Sequence, residues 1–147
     1  MAANIKSLIR LHEWNVDEKR RKLGELLRLQ GDLEEQLRQL EAEHERERQA
    51  AMDDPTGAGL TYPNYATHVR QRRDNLKDSI EQMEIVIGYA RDELADAYQE
   101  LKKYETVEEN RQRRYELEQS RREQILLDEV ALNQHRRKSQ KKKARTG

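Results

Sequence analysis

The 147-residue chain has no cysteine and no phenylalanine, one tryptophan and two prolines. Without cysteine there are no disulfides and no thiolate metal sites, which fits a reducing compartment. With 34% hydrophobic against 39% charged residues, the chain is too polar for a sizeable globular core at this length. No stretch approaches the roughly 20 apolar residues needed to span a bilayer. The N-terminus MAANIKSLIRLHEWN holds no apolar run of signal-peptide length. These absences predict a soluble, cytoplasmic protein. What is present is Glu, Arg, Leu, Gln, Lys and Ala with regularly spaced apolar residues, the composition of a long-helix or coiled-coil protein rather than a disordered one.

The formal net charge is zero, but the charge is unevenly distributed. Residues 135–147 (HRRKSQKKKARTG) carry seven of the 29 basic residues and none of the 29 acidic ones. The remaining 22 basic residues face all 29 acids in residues 1–134, so an acidic body of −7 carries a basic tail of +7.

Leu76, Ile80, Met83, Ile87, Ala90, Leu94, Ala97, Leu101 and Tyr104 form an unbroken apolar ladder with alternating steps of three and four. A seam with a period near 3.5 buries itself only against another helix. A second ladder runs Ile5, Ile9, His12, Val16, Lys19, Leu23, Leu26, Gln30, Leu33, Leu37, Leu40, His44, Glu47, with eight of its thirteen positions apolar. Between the ladders, residues 53–62 gather one proline and two glycines, with Pro63 directly after them. Breakers and turn formers accumulate nowhere else.

Antiparallel pairing about this turn requires facing residue numbers to have a constant sum. Leu40 with Leu76, Leu37 with Ile80, Leu33 with Met83, Leu26 with Ala90, Leu23 with Leu94, Val16 with Leu101 and His12 with Tyr104 all give 116 or 117. The ladder that fails after Tyr104 therefore fails where helix 1 runs out. The expectation is an all-α fold, an antiparallel two-helix coiled-coil hairpin with an overhanging C-terminal helix, forming one elongated domain over 1–147. Helix 1 is expected over about 4–52, the turn over about 53–62, helix 2 over about 63–137 and a basic tail over 138–147. Pro63 is read as sitting in the first turn of helix 2, with Thr61 or Asn64 as the cap. At about 1.5 Å per residue the body is expected to be roughly 70 Å long and the overhang roughly 35 Å. A parallel dimeric rod would use the same seam, but the breaker-rich turn favours the hairpin.

Catalytic patterns are weak. Glu41 and His44 have the Glu-x-x-His spacing of carboxylate di-iron bundles, but no second such pair exists to complete a site. Gly57-Ala58-Gly59 lacks the Gly-Lys-Ser/Thr of a phosphate loop. Acidic pairs such as Glu34-Glu35 and Glu108-Glu109 would sit on solvated helix faces. No nucleophile, metal site or cofactor site is expected, and no enzyme. The basic runs at 19–22, 70–73 and 111–114 and the tail are compatible with phosphate binding. The body is acidic and its aromatics few, however, so a nucleic-acid-binding adaptor is the lesser reading.

Apolar residues off the seam point to partners. Tyr115, Leu117, Ile125, Leu126, Leu127, Val130 and Leu132 lie beyond helix 1, where nothing in the chain can bury them, as in a helix that docks into a groove. Trp14, with Leu11 beside it, and Ile85 and Val86 lie off the seam in the paired part.

In its length, the Gly57-Ala58-Gly59-Leu60-Thr61 turn followed by Asn64-Tyr65, the Leu101-Lys102-Lys103-Tyr104-Glu105 stretch and the lysine-rich end, the chain resembles the flagellar export protein FliJ family of type III secretion systems. The resemblance implies a coiled-coil stalk like the central subunit of rotary ATPases, working without catalysis of its own. Its open end would enter and stimulate a hexameric export ATPase, and its hairpin region would contact the cytoplasmic part of a membrane-embedded export gate. Carried over, the ring-binding part is the overhang from about Arg113 to Lys143, with Tyr115, Leu117, Ile125, Leu126, Val130 and Leu132, together with the first turns of helix 1 and Trp14. The gate-facing part is Tyr65, His68, Arg72 and Asn75, where this sequence is basic and polar. Export chaperones are further implied partners, and the implied location is the cytoplasm, peripheral at the inner membrane through the export apparatus.

Overall fold

The structure, a computed structural model, describes residues 2–146. Two helices account for them, α1 (Ala2–Asp53) and α2 (Ala58–Thr146). The fold is all-α, two long helices packed against each other as a hairpin, with no strand among the described residues.

The turn is tighter than the sequence suggests. Only residues 54–57 lie outside helix, so the expected loop at 53–62 is corrected to four residues and α2 starts at Ala58 rather than near 63. Asp54 acts at the turn in place of Thr61 or Asn64. Its Oδ1 accepts the Gly57 N–H at 3.1 Å and the Thr56 hydroxyl at 3.4 Å, an aspartate side chain closing the turn over Pro55 ahead of α2. Its own N–H still donates to the Ala50 carbonyl at 3.0 Å, while its carbonyl accepts the Gly59 N–H at 2.9 Å. One residue thus ends α1 and starts the path into α2. The Asp54 carboxylate lies over Gly57 so closely that a Cβ there would fall 2.2 Å from Oδ2. Thr61 instead donates its hydroxyl to the Ala58 carbonyl at 3.2 Å. Pro63 lies inside α2, where its missing N–H removes the donor that the Gly59 carbonyl would otherwise meet.

The far end also departs from expectation. The basic tail assigned to 138–147 is helical as far as Thr146. Lys and Arg are good helix formers, and cations in a last turn are favoured by the negative end of the helix dipole; Lys143 and Arg145 occupy that turn.

The residues group into two compact units, one of Arg10–Leu101 and one of the N-terminal residues through Ile9 with those from Lys102 onward. In the first unit the buried side chains are Val16, Leu40, Val69, Leu76, Ile87, Ala90, Ala97 and Leu101. Seven of the eight are ladder residues. Leu23, Leu26, Leu33, Leu37, Ile80, Met83 and Leu94 are half-buried on the same line. Burying such a side chain stabilises by about 1.5–3 kcal/mol, and two helices can cover each only in part, so the core is one side chain deep. Contacts across the hairpin bracket the pairing sum. Lys19 and Lys22 both reach Glu93, at 3.2 and 3.3 Å, and the Arg20 guanidinium lies 5.1 Å from the centre of the Tyr98 ring. Their hydrogen bonds hold the Glu93 carboxyl below its ordinary pKa.

The seam runs further toward the turn than the ladder from Leu76. Val69 is buried with Leu40 and Leu76, and Leu33, Leu37 and Tyr65 pack on that cluster. His44 meets Tyr62 there, the rings stacked with centroids 6.0 Å apart and 2° between planes, and Nε2 lies 3.0 Å from the Tyr62 hydroxyl. A constant sum of 116 or 117 would set His44 opposite Arg72 or Arg73. Toward the short turn the pairing shifts.

In the second unit Ile5, Ile9, Tyr104 and Glu108 are half-buried. From Glu109 to Thr146 every residue except Gln119 is exposed. No described helix is long and apolar enough to cross a membrane.

Candidate docking surfaces

Within the second unit, α2 beyond Glu108 is held by its own backbone and by local polar pairs. Arg111 sits 3.7 Å from Glu108, the Gln112 amide donates to Glu108 at 3.4 Å, Arg122 to Glu118 at 3.2 Å and Gln124 to Asp128 at 3.2 Å. Each such pair is worth about 0.2–0.5 kcal/mol. Lys6 of α1 joins Glu108, Arg111, Gln112, Tyr115 and Glu116 around a shallow polar groove, which places Tyr115 at its rim.

Beyond that groove the apolar side chains are uncovered. Ile125, Leu126 and Leu127 are 51%, 61% and 63% exposed. Three consecutive residues of an α-helix project about 100° apart, so this trio alone spreads over most of the helix circumference. Val130 and Leu132, also exposed, fill in between. Leu117 is exposed as well. A helix apolar over most of its circumference, here broken only by Asp128 and Glu129, calls for cover on more than one side, and among the described residues nothing covers this one. Trp14 belongs to the other unit, exposed on α1 beside an exposed Leu11.

Near the turn three of the four residues expected to face a gate, Tyr65, His68 and Arg72, line one open groove, and Asn75 lies outside its lining. His68, Arg72 and Asn75 are exposed. Tyr65 is corrected from a surface residue to a seam residue. It packs on Leu40, Val69 and Leu76, with its ring 6.3 Å from His44 and 6.5 Å from Tyr62. Its hydroxyl is buried without a hydrogen-bond partner, and burial pushes the phenol above its ordinary pKa. His68 and Arg72 line an open polar groove over this cluster with Gln36, Gln39 and Glu43 of α1. The part played by α1 was legible only through pairing. Val69, Tyr65 and Tyr62 lie on the ladder itself, reached by stepping back seven, four and three from Leu76.

Of the basic runs, that at 19–22 is engaged inside the molecule. Lys19 and Lys22 meet Glu93, Arg20 meets Tyr98 and Arg21 meets Glu18 at 3.1 Å. No group of three or more His, Cys, Asp or Glu able to hold a metal ion occurs among the described residues.

These surfaces define a coiled-coil hairpin protein with exposed apolar residues on the helix past its partner and also in the paired part, at Trp14, Ile85 and Tyr89 among others. The family model for "Flagellar FliJ protein" matches residues 1–140. Two curated relatives, each named "Flagellar FliJ protein", come from Caulobacter vibrioides strains NA1000 / CB15N and ATCC 19089 / CIP 103742 / CB 15. Each is 35% identical over 103 residues, covering 70% of this chain and 73% of the relative. No solved structure matches. The chain belongs to the flagellar FliJ family, and so to the flagellar export apparatus.

Proposed function

We propose that the protein is the stalk of the flagellar export apparatus, binding and stimulating its hexameric ATPase and linking that ring to the export gate. The observation that carries this reading is the segment Ile125–Leu132, whose six apolar residues spread around the helix, interrupted only by Asp128 and Glu129, and are all exposed. A groove would cover one face of a helix; a ring covers every face. Export requires a mechanical or assembly role here rather than a reaction, so the protein works without a cofactor. The polar groove bearing His68 and Arg72 is the surface offered to the gate, with Asn75 beside it and Tyr65 as its apolar support. Binding to the ring and gate holds the protein at the cytoplasmic face of the inner membrane, where it is positioned to receive export chaperones.

Removing residues 113–147 should leave the hairpin helical and abolish stimulation of ATP hydrolysis by the hexamer. Undiminished stimulation by the truncated chain would sink the proposal.

A further inference from the structure

A second exposed stripe lies on α2 in the paired unit. Asp78, Gln82, Ile85, Tyr89 and Glu93 follow one another at steps of four, three, four and four, so all five share one face of the helix. Ile85 and Tyr89 at its centre are 61% and 66% exposed, with exposed Val86 beside them. Asp78 closes one end; at the other, Glu93 is half-buried and already meets Lys19 and Lys22, so the free carboxylate there is its exposed neighbour Asp92. The pattern is an apolar centre between carboxylates.

The same spacing, read backwards with the opposite charges, occurs once more on α2. Arg137, Asn133, Val130, Leu126 and Arg122 step down by four, three, four and four, and all five are exposed. Laid antiparallel, Arg137 meets Asp78, Asn133 meets Gln82, Val130 meets Ile85, Leu126 meets Tyr89 and Arg122 meets the Asp92–Glu93 pair. Charge, amide and apolar levels all match. Both stripes belong to one unbroken helix, which cannot lie against itself, so the complement comes from another molecule. We propose that the 78–93 stripe of one copy receives residues 122–137 of a second copy, in an antiparallel helix pairing. The paired numbers share one sum, 215, so residue i of one copy meets 215 − i of the other in both directions, and the pairing closes as a two-fold dimer. The 122–137 segment overlaps the one proposed to enter the ATPase ring, so self-association and ring entry compete.

Sedimentation velocity of the full chain alone tests this independently of any ATPase. At salt on the order of 0.05 M the weight-average mass should climb with concentration above the 17.6 kDa monomer, and about 0.5 M salt should return it to monomer as the exposed charges are screened. Asp78→Arg and Arg137→Asp should each weaken association about tenfold, because each sets like charges opposite one another. An equimolar mixture of the two should restore pairing between unlike variants. Circular dichroism should be unchanged, since both positions are exposed. A monomer at every salt and concentration would overturn the proposal. So would a salt-insensitive oligomer, or a mixture no stronger than either variant alone.

Discussion

Residues 10–101 and the stretch of α2 from Lys102 onward are built from the same kinds of residue, yet they hold their helices by different means. In the first, leucines and isoleucines at steps of three and four are covered by a facing helix, and most polar residues stay outside. In the second, leucines and isoleucines at 117, 125, 126, 127 and 132 are uncovered, and helicity rests on propensity and local polar pairs. Coverage, rather than composition, separates a core from a binding site. A long helix needs its seam only where it has a partner, and apolar residues kept beyond that point have another use.

Substitution of apolar residues in the two regions gives the largest expected contrast. Leu40→Ala or Leu76→Ala should cost about 2–4 kcal/mol in urea unfolding, the cost of emptying a buried leucine site. Leu126→Ala or Ile125→Ala should change stability by no more than about 0.5 kcal/mol while weakening ATPase binding. Equal losses in both regions would erase the distinction.

Tyr65 sharpens the picture at the turn. Its buried hydroxyl has no partner, so Tyr65→Phe removes a desolvated polar group and should stabilise by about 1 kcal/mol. A loss of that size would mean that the hydroxyl is paired in solution.

Glycines give a smaller contrast of opposite sign. A Cβ on Gly24 or Gly31 would meet nothing within 4 Å, so each Gly→Ala should add about 1 kcal/mol through helix propensity. Gly57 lies outside both helices and has no such gain to offer; the added Cβ displaces the Asp54 carboxylate and its hold on the turn, a net loss of about 1 kcal/mol. Thermal unfolding of the three single variants separates the sites.

The smallest effect is that of pH on the Lys19–Glu93–Lys22 link. The Glu93 carboxyl has a lowered pKa in the folded chain. Its contribution is therefore complete above the ordinary glutamate pKa and is lost as pH falls through the lower folded value. Acid unfolding of Glu93→Gln should lack this component, and an unchanged profile would show that the link adds nothing to stability.

The seam was legible because its period is a direct consequence of helix pairing. Every position of the α1 ladder from Ile5 to His44 is at least half-buried, including polar Lys19, Gln30 and His44. The turn was read too long because Pro63 and Gly59 look like breakers, whereas the Asp54 side chain lets the backbone enter a helix directly after Gly57. Tyr65 and Val69 lie outside the unbroken ladder that starts at Leu76, because polar Arg72 and Arg73 stand between, although the same steps lead back to them. The basic tail looked like an unstructured end; its favourable interaction with the helix terminus was the weaker signal. What the overhang touches was legible only as an unmet requirement, since a partner's surface leaves no trace in the chain beyond the apolar residues awaiting it.

The absence of cysteine makes one measurement especially direct. Single substitutions Ile125→Cys, Leu126→Cys, Leu127→Cys, Val130→Cys and Leu132→Cys report on every side of the helix through their rates of thiol labelling. All five should label rapidly in the isolated protein and all five should be protected when the ATPase hexamer is added. Protection confined to one face would indicate a groove rather than a ring, and labelling unchanged at all five would contradict the stalk.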